Sequence, residues 1–225
     1  MHITQRLPGE TARQYAGRML RANIISLDLA PGSIVSENEL AAQLGISRTP
    51  VREALIELSR TQIVEILPQR GSRISLIRYE MVEEARFVRL ALENAIVEQL
   101  CGWVKDSDLL TLTENVALQR ISLKNHAFAR LMELDDAFHT ELFRLQGMEQ
   151  TWQLIRSMSV HFDRIRSMSV DSVKDLHIVE EHASILESLR QGDAPGARAN
   201  VTAHLSRYRI NKPFIQAKYP GYFAD

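Results

Sequence analysis

The chain has 225 residues, of which 45% are hydrophobic and 24% charged, and its formal net charge is −1. This balance is typical of a globular protein and excludes a strongly basic chain, so any DNA contact must depend on where the charges lie. No apolar run approaches the roughly 20 residues that span a bilayer, and the single Cys101 excludes an internal disulfide. The first residues, MHITQRLPGETARQ, lack the pattern of a signal peptide, and we therefore expect a cytoplasmic protein.

The first predicted element is a helix over Thr11–Leu27, because its apolar residues recur at helical spacing. A Pro-Gly turn follows, and then a short second helix. Ser36 with Glu39 has the pattern of a capping box at the start of this second helix. Gly45 suits the position just after its end.

The next helix is predicted to begin at Ser47 or Thr49, since either residue can cap it. Pro50 then lies in the first turn, where its missing N–H does no harm. Arg48 and Arg52 lie on one face near this N-terminus, and their guanidinium forks suit guanine or phosphate. Two helices joined by a glycine turn have the arrangement of a helix-turn-helix. The alternative interpretation is a solvated helix end with ordinary arginines.

Two β-prone runs follow, Ile63–Leu67 and Ser72–Ile77, and they flank the turn Pro68-Gln-Arg-Gly71. Such runs around a glycine-containing turn predict a β-hairpin. Three helices followed by a hairpin make a winged helix-turn-helix. Arg70 in the turn suits a phosphate or a minor-groove contact.

Residues 12–77 resemble the DNA-binding domain of the GntR family of bacterial transcription regulators. The matching segment is PGSIVSENELAAQLGISRTPVREALIELSRTQIVEILPQRGSRIS, and its S-R-T-P-V-R-E-A-L core is intact. The resemblance implies a homodimer that binds double-stranded operator DNA with an inverted repeat. It also implies DNA contacts from the recognition helix and wing, for which the candidates are Ser47, Arg48, Thr49, Arg52, Arg70 and Gly71. Asn38 stands where some members have an arginine that contacts DNA, and Gln62 replaces a glycine common at the end of that helix.

Residues 78–225 have helical periodicity almost throughout. The predicted helices are Tyr79–Gly102, Asp106–Lys124, Phe128–Gln146, Gln150–Met168, Ser172–Gln191 and, after a break at 192–196, one that continues to roughly Asn211. Six or seven antiparallel helices of this length form a bundle. The sequence therefore predicts a mainly α chain, with a winged helix-turn-helix over residues 1–77 and an all-α bundle over residues 78–225.

Four polar residues fall where this bundle should be dry. Asp135 and His139 are four residues apart beside an apolar stripe, and His182 and His204 lie within two other stripes. One such histidine is usually a core residue with a satisfied hydrogen bond. Four buried polar groups without partners would be costly, and a divalent cation would satisfy them all. Three histidines and one aspartate suit zinc or nickel.

Residues 80–212 resemble the FCD ligand-binding domain of the FadR subfamily within the GntR regulators. The matching pieces are Asp135-Asp-Ala-Phe-His139, Glu180-Glu-His182, Gly192-Asp193 and His204-Leu205. In metal-containing members, the positions of Asp135, His139, His182 and His204 hold the metal, so the resemblance is to that branch.

The resemblance also implies a small carboxylate effector bound at the metal. Arg89 with Glu93 matches an arginine and glutamate pair of the family's first bundle helix, which makes Arg89 an expected effector contact. Arg164 is a further candidate. The alternative for both arginines is a structural ion pair. His161 and His177 are expected at the surface or behind the ligands rather than among them.

These observations predict a DNA-binding transcriptional regulator, expected to be a repressor, whose operator binding responds to an organic acid at a divalent metal. Two alternatives remain open at this point. In one, the metal itself is the signal. In the other, the metal with open coordination positions activates water in an enzyme, although no general base is evident beside the metal set and the DNA-reading helix would be unexplained.

Overall fold

The computed structural model of the protein describes residues 1–172 and 177–224. It divides into two compact units. The winged unit contains Met1–Val82, Val160–Ser167 and residues 216–224, and the helical unit contains Glu83–Ser159 and the described part of Met168–Ile215. The division at 77/78 that the sequence predicts assigns all residues after 77 to one domain, whereas two later segments pack within the winged unit.

Three helices open the winged unit: α1 (Ala12–Ile25), α2 (Glu37–Leu44) and α3 (Arg48–Arg60). The hydroxyl of Ser36 caps α2 by accepting from the N–H of Asn38, one residue before the predicted capping-box partner. Gly45 ends α2 in the left-handed conformation with φ 65°, as the sequence predicts. Ser47, rather than Thr49, is the residue before α3, and its hydroxyl makes no capping hydrogen bond.

A small antiparallel sheet forms the wing. Strands β1 (Ile34–Val35), β2 (Val64–Leu67) and β3 (Gly71–Ile74) lie in the order β1-β3-β2. The hairpin of β2 and β3 is the predicted one, but β1 is not in the prediction because two residues are too few to show periodicity. In register, Glu65 lies opposite Arg73 across the hairpin.

The end of the chain contributes to the winged unit. Ile77 forms a parallel bridge with Phe223, and its N–H donates to the carbonyl of Tyr222 over 2.8 Å. The rings of Tyr79 and Phe223 stack at 5.2 Å. These contacts explain why β3 ends before Ile77, since Ile77 pairs with the C-terminal segment instead of extending the hairpin.

Eight helical segments follow the wing in the described residues, and most of their length forms the helical unit. They are α4 (Tyr79–Cys101), α5 (Leu110–Lys124), α6 (Phe128–Leu145), α7 (Glu149–Met158), α8 (Val160–Ser172), α9 (Ile178–Gln191), α10 (Ala194–Ser206) and α11 (Tyr208–Lys218). Within the helical unit α5 packs on α6 and α9, and α9 packs on α10. Residues 173–176 of the predicted Ser172–Gln191 helix lie outside the described residues. Among the residues described, no helix is both long and apolar enough to cross a membrane.

Two of the predicted helices are interrupted, so eight segments stand where six or seven helices were expected. The prediction of one helix over Gln150–Met168 is wrong at Ser159, which lies between α7 and α8. The backbone N–H of Ser159 donates to the carbonyl of Arg156, three residues back rather than four, over 3.4 Å, so the α-helical pairing of α7 ends there. The second interruption, at Arg207, separates α10 from α11. The mainly α fold with a winged helix-turn-helix is as predicted.

Candidate metal centre and nucleic-acid interface

Five of the seven predicted DNA contacts lie on one surface of the winged unit. Asn38, Arg48, Arg52, Arg70 and Gly71 all line a concave surface of about 510 Å³ between the start of α3 and the turn of the wing. Ser47 and Thr49 are exposed at the first turn of α3. A helix N-terminus with unbonded N–H groups and two arginines favours negatively charged groups. The arrangement therefore suits a phosphate backbone with base edges beyond it.

Arg48 does not extend freely from this surface. Its Nε donates to the Glu37 carboxylate over 2.6 Å, and 62% of the Arg48 side chain remains exposed. Because the carboxylate engages Nε, the two terminal amino groups of the guanidinium are left for a base or a phosphate. Glu37 was not among the predicted DNA-surface residues, although the sequence places it at the start of α2.

Gly71 is required by the backbone of the wing. Its φ is 95°, and a Cβ at this position would lie 2.6 Å from the carbonyl oxygen of Val35. Glycine alone accepts such a conformation and such a close approach. The structure thus gives Gly71 a structural role in addition to its predicted contact with DNA.

Arg164, one of the two predicted effector contacts, belongs to the winged unit. It is fully buried, and its guanidinium donates to the carbonyl of Ser75 over 2.7 Å and to Nδ1 of His161 over 2.8 Å. Burial lowers the pKa of Arg164 to about 9. Burial, with Arg164 and Arg78 nearby, lowers the pKa of His161 to about 3, so His161 is neutral at pH 7. These contacts attach the start of α8 to the wing.

The four predicted metal ligands come together in the helical unit. Asp135 and His139 lie on α6, His182 on α9 and His204 on α10, and one ligand atom from each falls within 4.8 Å of all the others. Nε2 of His139 is 3.2 Å from Nε2 of His204, and Nε2 of His182 is 3.7 Å from an oxygen of Asp135. Three of the four side chains are completely buried, and 6% of the His204 side chain is exposed.

Each of the three imidazole rings is oriented by a partner behind it. Nδ1 of His139 lies 2.8 Å from the Glu93 carboxylate, and Nδ1 of His204 lies 2.9 Å from the Glu181 carboxylate. For His182 the corresponding partner is the amide oxygen of Gln119, at 2.8 Å. An acceptor at Nδ1 keeps the proton there and directs the Nε2 lone pair inward. Three lone pairs and a carboxylate that converge in this way fit a divalent cation, to which such a set supplies suitable ligands.

The charges behind the ligands are balanced by arginines. Glu93 accepts from Nε of Arg89 over 2.7 Å, and Glu181 forms an ion pair with Arg207. Although burial opposes ionisation, Arg89 and His139 hold the pKa of Glu93 below its usual range. His204 and Arg207 likewise lower the pKa of Glu181 against the effect of its burial. Asp135 is the one carboxylate among the four predicted ligands.

Arg89, the other predicted effector contact, is part of this arrangement. It is buried, lies 5.4 Å from the ring centre of Trp152 and reaches the ligand His139 through Glu93. The ion pair that the sequence left as an alternative is therefore present, and the contact with an effector stays a prediction. His177 is exposed and His161 lies in the winged unit, so neither belongs to the ligand cluster.

Sequence reasoning missed Gln119 and its neighbour Asn115, both of which are buried on α5. They occupy positions four residues apart beside the apolar Leu112 and Val116. Two amides at core positions of one helix were the available signal, since buried amides require hydrogen-bond partners.

Comparison with known proteins agrees with the family resemblance predicted for each half of the chain. The model of the bacterial regulatory proteins, gntR family, matches residues 12–74, and that of the FCD domain matches residues 84–207. The chain is 30% identical over 223 residues to the HTH-type transcriptional repressor RspR of Escherichia coli (strain K12), covering 99% of this chain and 98% of that protein. It is 30% identical over 181 residues to the gluconate operon transcriptional repressor of Bacillus subtilis (strain 168), covering 77% and 74%.

A solved structure has the same fold. E. coli McbR/YncC superimposes with a TM-score of 0.79 at 19% sequence identity, covering 93% of this chain and 99% of that one.

Proposed function

Because the chain belongs to the GntR family of bacterial regulatory proteins and carries an FCD domain, we propose that it is a repressor controlled by a metal-bound organic acid. The family makes it a DNA-binding transcriptional regulator rather than an enzyme. In the proposal, the winged unit binds operator DNA in the cytoplasm and the helical unit binds the acid at a divalent metal.

The operator contacts are assigned to the concave surface of the winged unit. Arg48 and Arg52 read base edges from α3, Ser47, Thr49 and Asn38 contact phosphates, and the wing turn with Arg70 and Gly71 approaches the neighbouring backbone. A single recognition helix reads only a few base pairs, so two copies of the chain are needed. A homodimer would read an inverted repeat with half-sites about one helical turn apart.

The observation that carries the metal proposal is the orientation of the three imidazoles. Glu93, Gln119 and Glu181 each lie within 2.9 Å of an Nδ1 atom. The Nε2 atoms of His139 and His204 lie 3.2 Å apart, and Nε2 of His182 lies 3.7 Å from Asp135. Zinc and nickel both accept three imidazole nitrogens and one carboxylate oxygen. When bound, the ion supplies a Lewis acid with coordination positions that the protein leaves open.

The charge of the centre favours an anionic effector. With Glu93 and Glu181 paired to arginines, a divalent ion and Asp135 leave one positive charge in a buried site. A carboxylate would neutralise that charge and complete the coordination, and Arg89 could donate to it with a bidentate geometry. The relative named as a gluconate operon repressor supports a hydroxy or sugar acid as the class to test first.

Metal content is tested on untagged protein. Elemental analysis should find about one zinc or nickel ion per chain, and replacing His182 and His204 together should abolish it. Retention of the ion by this double variant would contradict the ligand assignment.

Operator binding is tested by fluorescence anisotropy with DNA from the promoter regions of its own and neighbouring operons. We expect specific binding by a dimer, and a change in affinity when gluconate or another simple hydroxy acid is added to the metal-loaded protein. If no acid has an effect while chelation alone changes the affinity, the metal is itself the signal. Absence of any sequence-specific binding would overturn the proposal.

A further inference from the structure

Two buried amides on α5 connect a metal-ligand histidine to the backbone of another helix. Oε1 of Gln119 lies 2.8 Å from Nδ1 of His182, and Nε2 of Gln119 donates to Oδ1 of Asn115 over 2.6 Å. Nδ2 of Asn115 then donates to the carbonyl oxygen of Leu134 over 3.0 Å. Gln119 is completely buried and Asn115 is 9% exposed, so water does not compete for the bond between Gln119 and His182.

We propose that Asn115 and Gln119 are positioning residues that fix His182 in the tautomer with its proton on Nδ1, so that Nε2 is the metal donor. The inference rests on the metal centre of the proposed function and deepens it. The Leu134 carbonyl sets the donor and acceptor direction of this series of hydrogen bonds, since a backbone carbonyl can only accept a hydrogen bond.

The Leu134 carbonyl determines the orientation of each amide between it and His182. The Leu134 oxygen requires the NH₂ side of Asn115, which turns Oδ1 of Asn115 toward Gln119. Oδ1 in turn requires the NH₂ side of Gln119, which turns Oε1 toward His182. An amide oxygen at 2.8 Å then requires a proton on Nδ1. Turning either amide over would bring two acceptors or two donors together at hydrogen-bond distance in a dry site, where unmade hydrogen bonds are costly.

We call the hydrogen-bonded series His182–Gln119–Asn115–Leu134 the relay. It explains why His182 differs from the other two histidines. His139 and His204 face carboxylates, which are acceptors in either orientation and need no further alignment. Those carboxylates require Arg89 and Arg207 to balance their charge. Gln119 orients His182 without a charge, but an amide can present either a donor or an acceptor, so it needs Asn115 to set its direction. Leu134 precedes the ligand Asp135 in the chain, so the relay also ties His182 on α9 to the ligand-bearing α6.

The tautomer is measured first, in metal-free protein with ¹⁵N-labelled histidine, with the His182 signals identified by comparison with His182→Gln. Wild type should carry the His182 proton on Nδ1. In Gln119→Leu, which removes the acceptor, this preference should be lost. Gln119→Glu restores an acceptor and should restore the Nδ1 proton. A wild-type His182 with its proton on Nε2 overturns the inference whatever the variants do.

Metal affinity is the second readout, measured by competition with a chromophoric chelator using zinc and nickel. Removing an outer partner of a metal-ligand histidine commonly weakens binding by about 10–100-fold, and we expect this for Gln119→Leu. Asn115→Leu should lose less, and Gln119→Glu, which keeps an acceptor for Nδ1 but places its second oxygen against Oδ1 of Asn115, should bind more tightly than Gln119→Leu. Ser122→Ala, a change on the buried face of the same helix, is the control and should have no effect.

The two readouts separate the inference from the proposed function. If wild type binds neither metal but His182 keeps its Nδ1 proton in a Gln119-dependent manner, the metal proposal fails and the relay stands. If metal binds tightly and Gln119→Leu changes neither the tautomer nor the affinity, the relay is wrong and the metal centre stands. Thermal unfolding of each variant establishes that it is folded.

Discussion

At the scale of single residues, the requirement for glycine at position 71 can be tested. An alanine substitution at Gly17, also in the winged unit, is a control with the opposite expected effect. Gly71→Ala would place a Cβ 2.6 Å from a backbone oxygen at a φ of 95°, and such strain is worth about 1–3 kcal/mol. Gly17 lies within α1 with nothing near its missing Cβ, so Gly17→Ala should raise stability by about 0.5–1 kcal/mol. Chemical denaturation gives both values. Equal effects of the two alanines would show that Gly71 is not strained.

Glu37 offers a second test at this scale, because it holds Arg48 through Nε. Glu37→Gln should reduce the ratio of operator to nonspecific affinity by up to about fivefold, since an exposed ion pair is worth about 0.2–1 kcal/mol. Glu39→Gln removes a charge from the same turn of α2 and serves as the control. Anisotropy titrations with operator and random DNA measure the ratio. An identical change in both variants would attribute the effect to bulk charge.

At the scale of elements, the start of α8 packs within the winged unit and carries His161, whose pKa is shifted. The pKa of His161 is lowered from 6.5 to about 3 by burial and by the neighbouring arginines. Below pH 6.5 the unfolded chain therefore binds a proton that the folded chain refuses. The stability this gives is fully present above about pH 6.5 and is lost as the pH falls toward 3.

His161→Asn should remove this acid sensitivity. Between pH 7 and pH 5 the variant should lose about 2 kcal/mol less unfolding free energy than wild type, since one pKa unit corresponds to about 1.4 kcal/mol. His177→Asn changes an exposed histidine and is the matched control. Urea denaturation at the two pH values provides the comparison, and a parallel pH dependence in wild type and His161→Asn would contradict the assignment.

The turn after α3 constrains the backbone conformation of Gln62. Gln62 stands where the resemblance to the GntR DNA-binding domain implies a glycine. Its φ is 58°, a conformation that is strained for a residue with a Cβ. Its side chain accepts from Arg78, which offsets part of that strain. Gln62→Gly should therefore be more stable than Gln62→Ala by about 1 kcal/mol in thermal or chemical unfolding. An alanine variant as stable as the glycine variant would show that the turn is relaxed.

The sequence predicted those parts of the structure that local signals encode. The helix ends at Ser36 and Gly45 followed their capping signals, and the clustering of Asp135, His139, His182 and His204 followed the placement of polar residues on apolar stripes. The packing of residues 160–167 and 216–224 with the wing had no local signal, because it depends on contacts between residues far apart in the chain. For the same reason Gln119 was missed, since its role depends on His182, 63 residues away.

At the scale of the whole molecule, two sites with opposite charge requirements lie in separate units. The winged unit has arginines along the concave surface proposed for DNA, whereas the helical unit brings together acceptor groups that could hold a cation. Any control of one by the other is a coupling free energy, and it must act equally in both directions. This reciprocity decides between the two regulatory proposals without knowledge of the natural effector.

If the metal is a resident part of the acid site, operator DNA should leave the zinc or nickel affinity unchanged, and removing the ion should leave the operator affinity of the folded dimer unchanged. If the metal is the signal, the operator should shift metal affinity by the same factor by which metal shifts operator affinity, commonly about 5–150-fold. Chelator competition with and without operator DNA measures the first shift, and anisotropy with and without metal measures the second. The His182 and His204 double variant, which lacks two ligands, should show neither shift. A shift in one direction without the other would mean that chelation unfolds the helical unit, which circular dichroism of the metal-free protein would reveal.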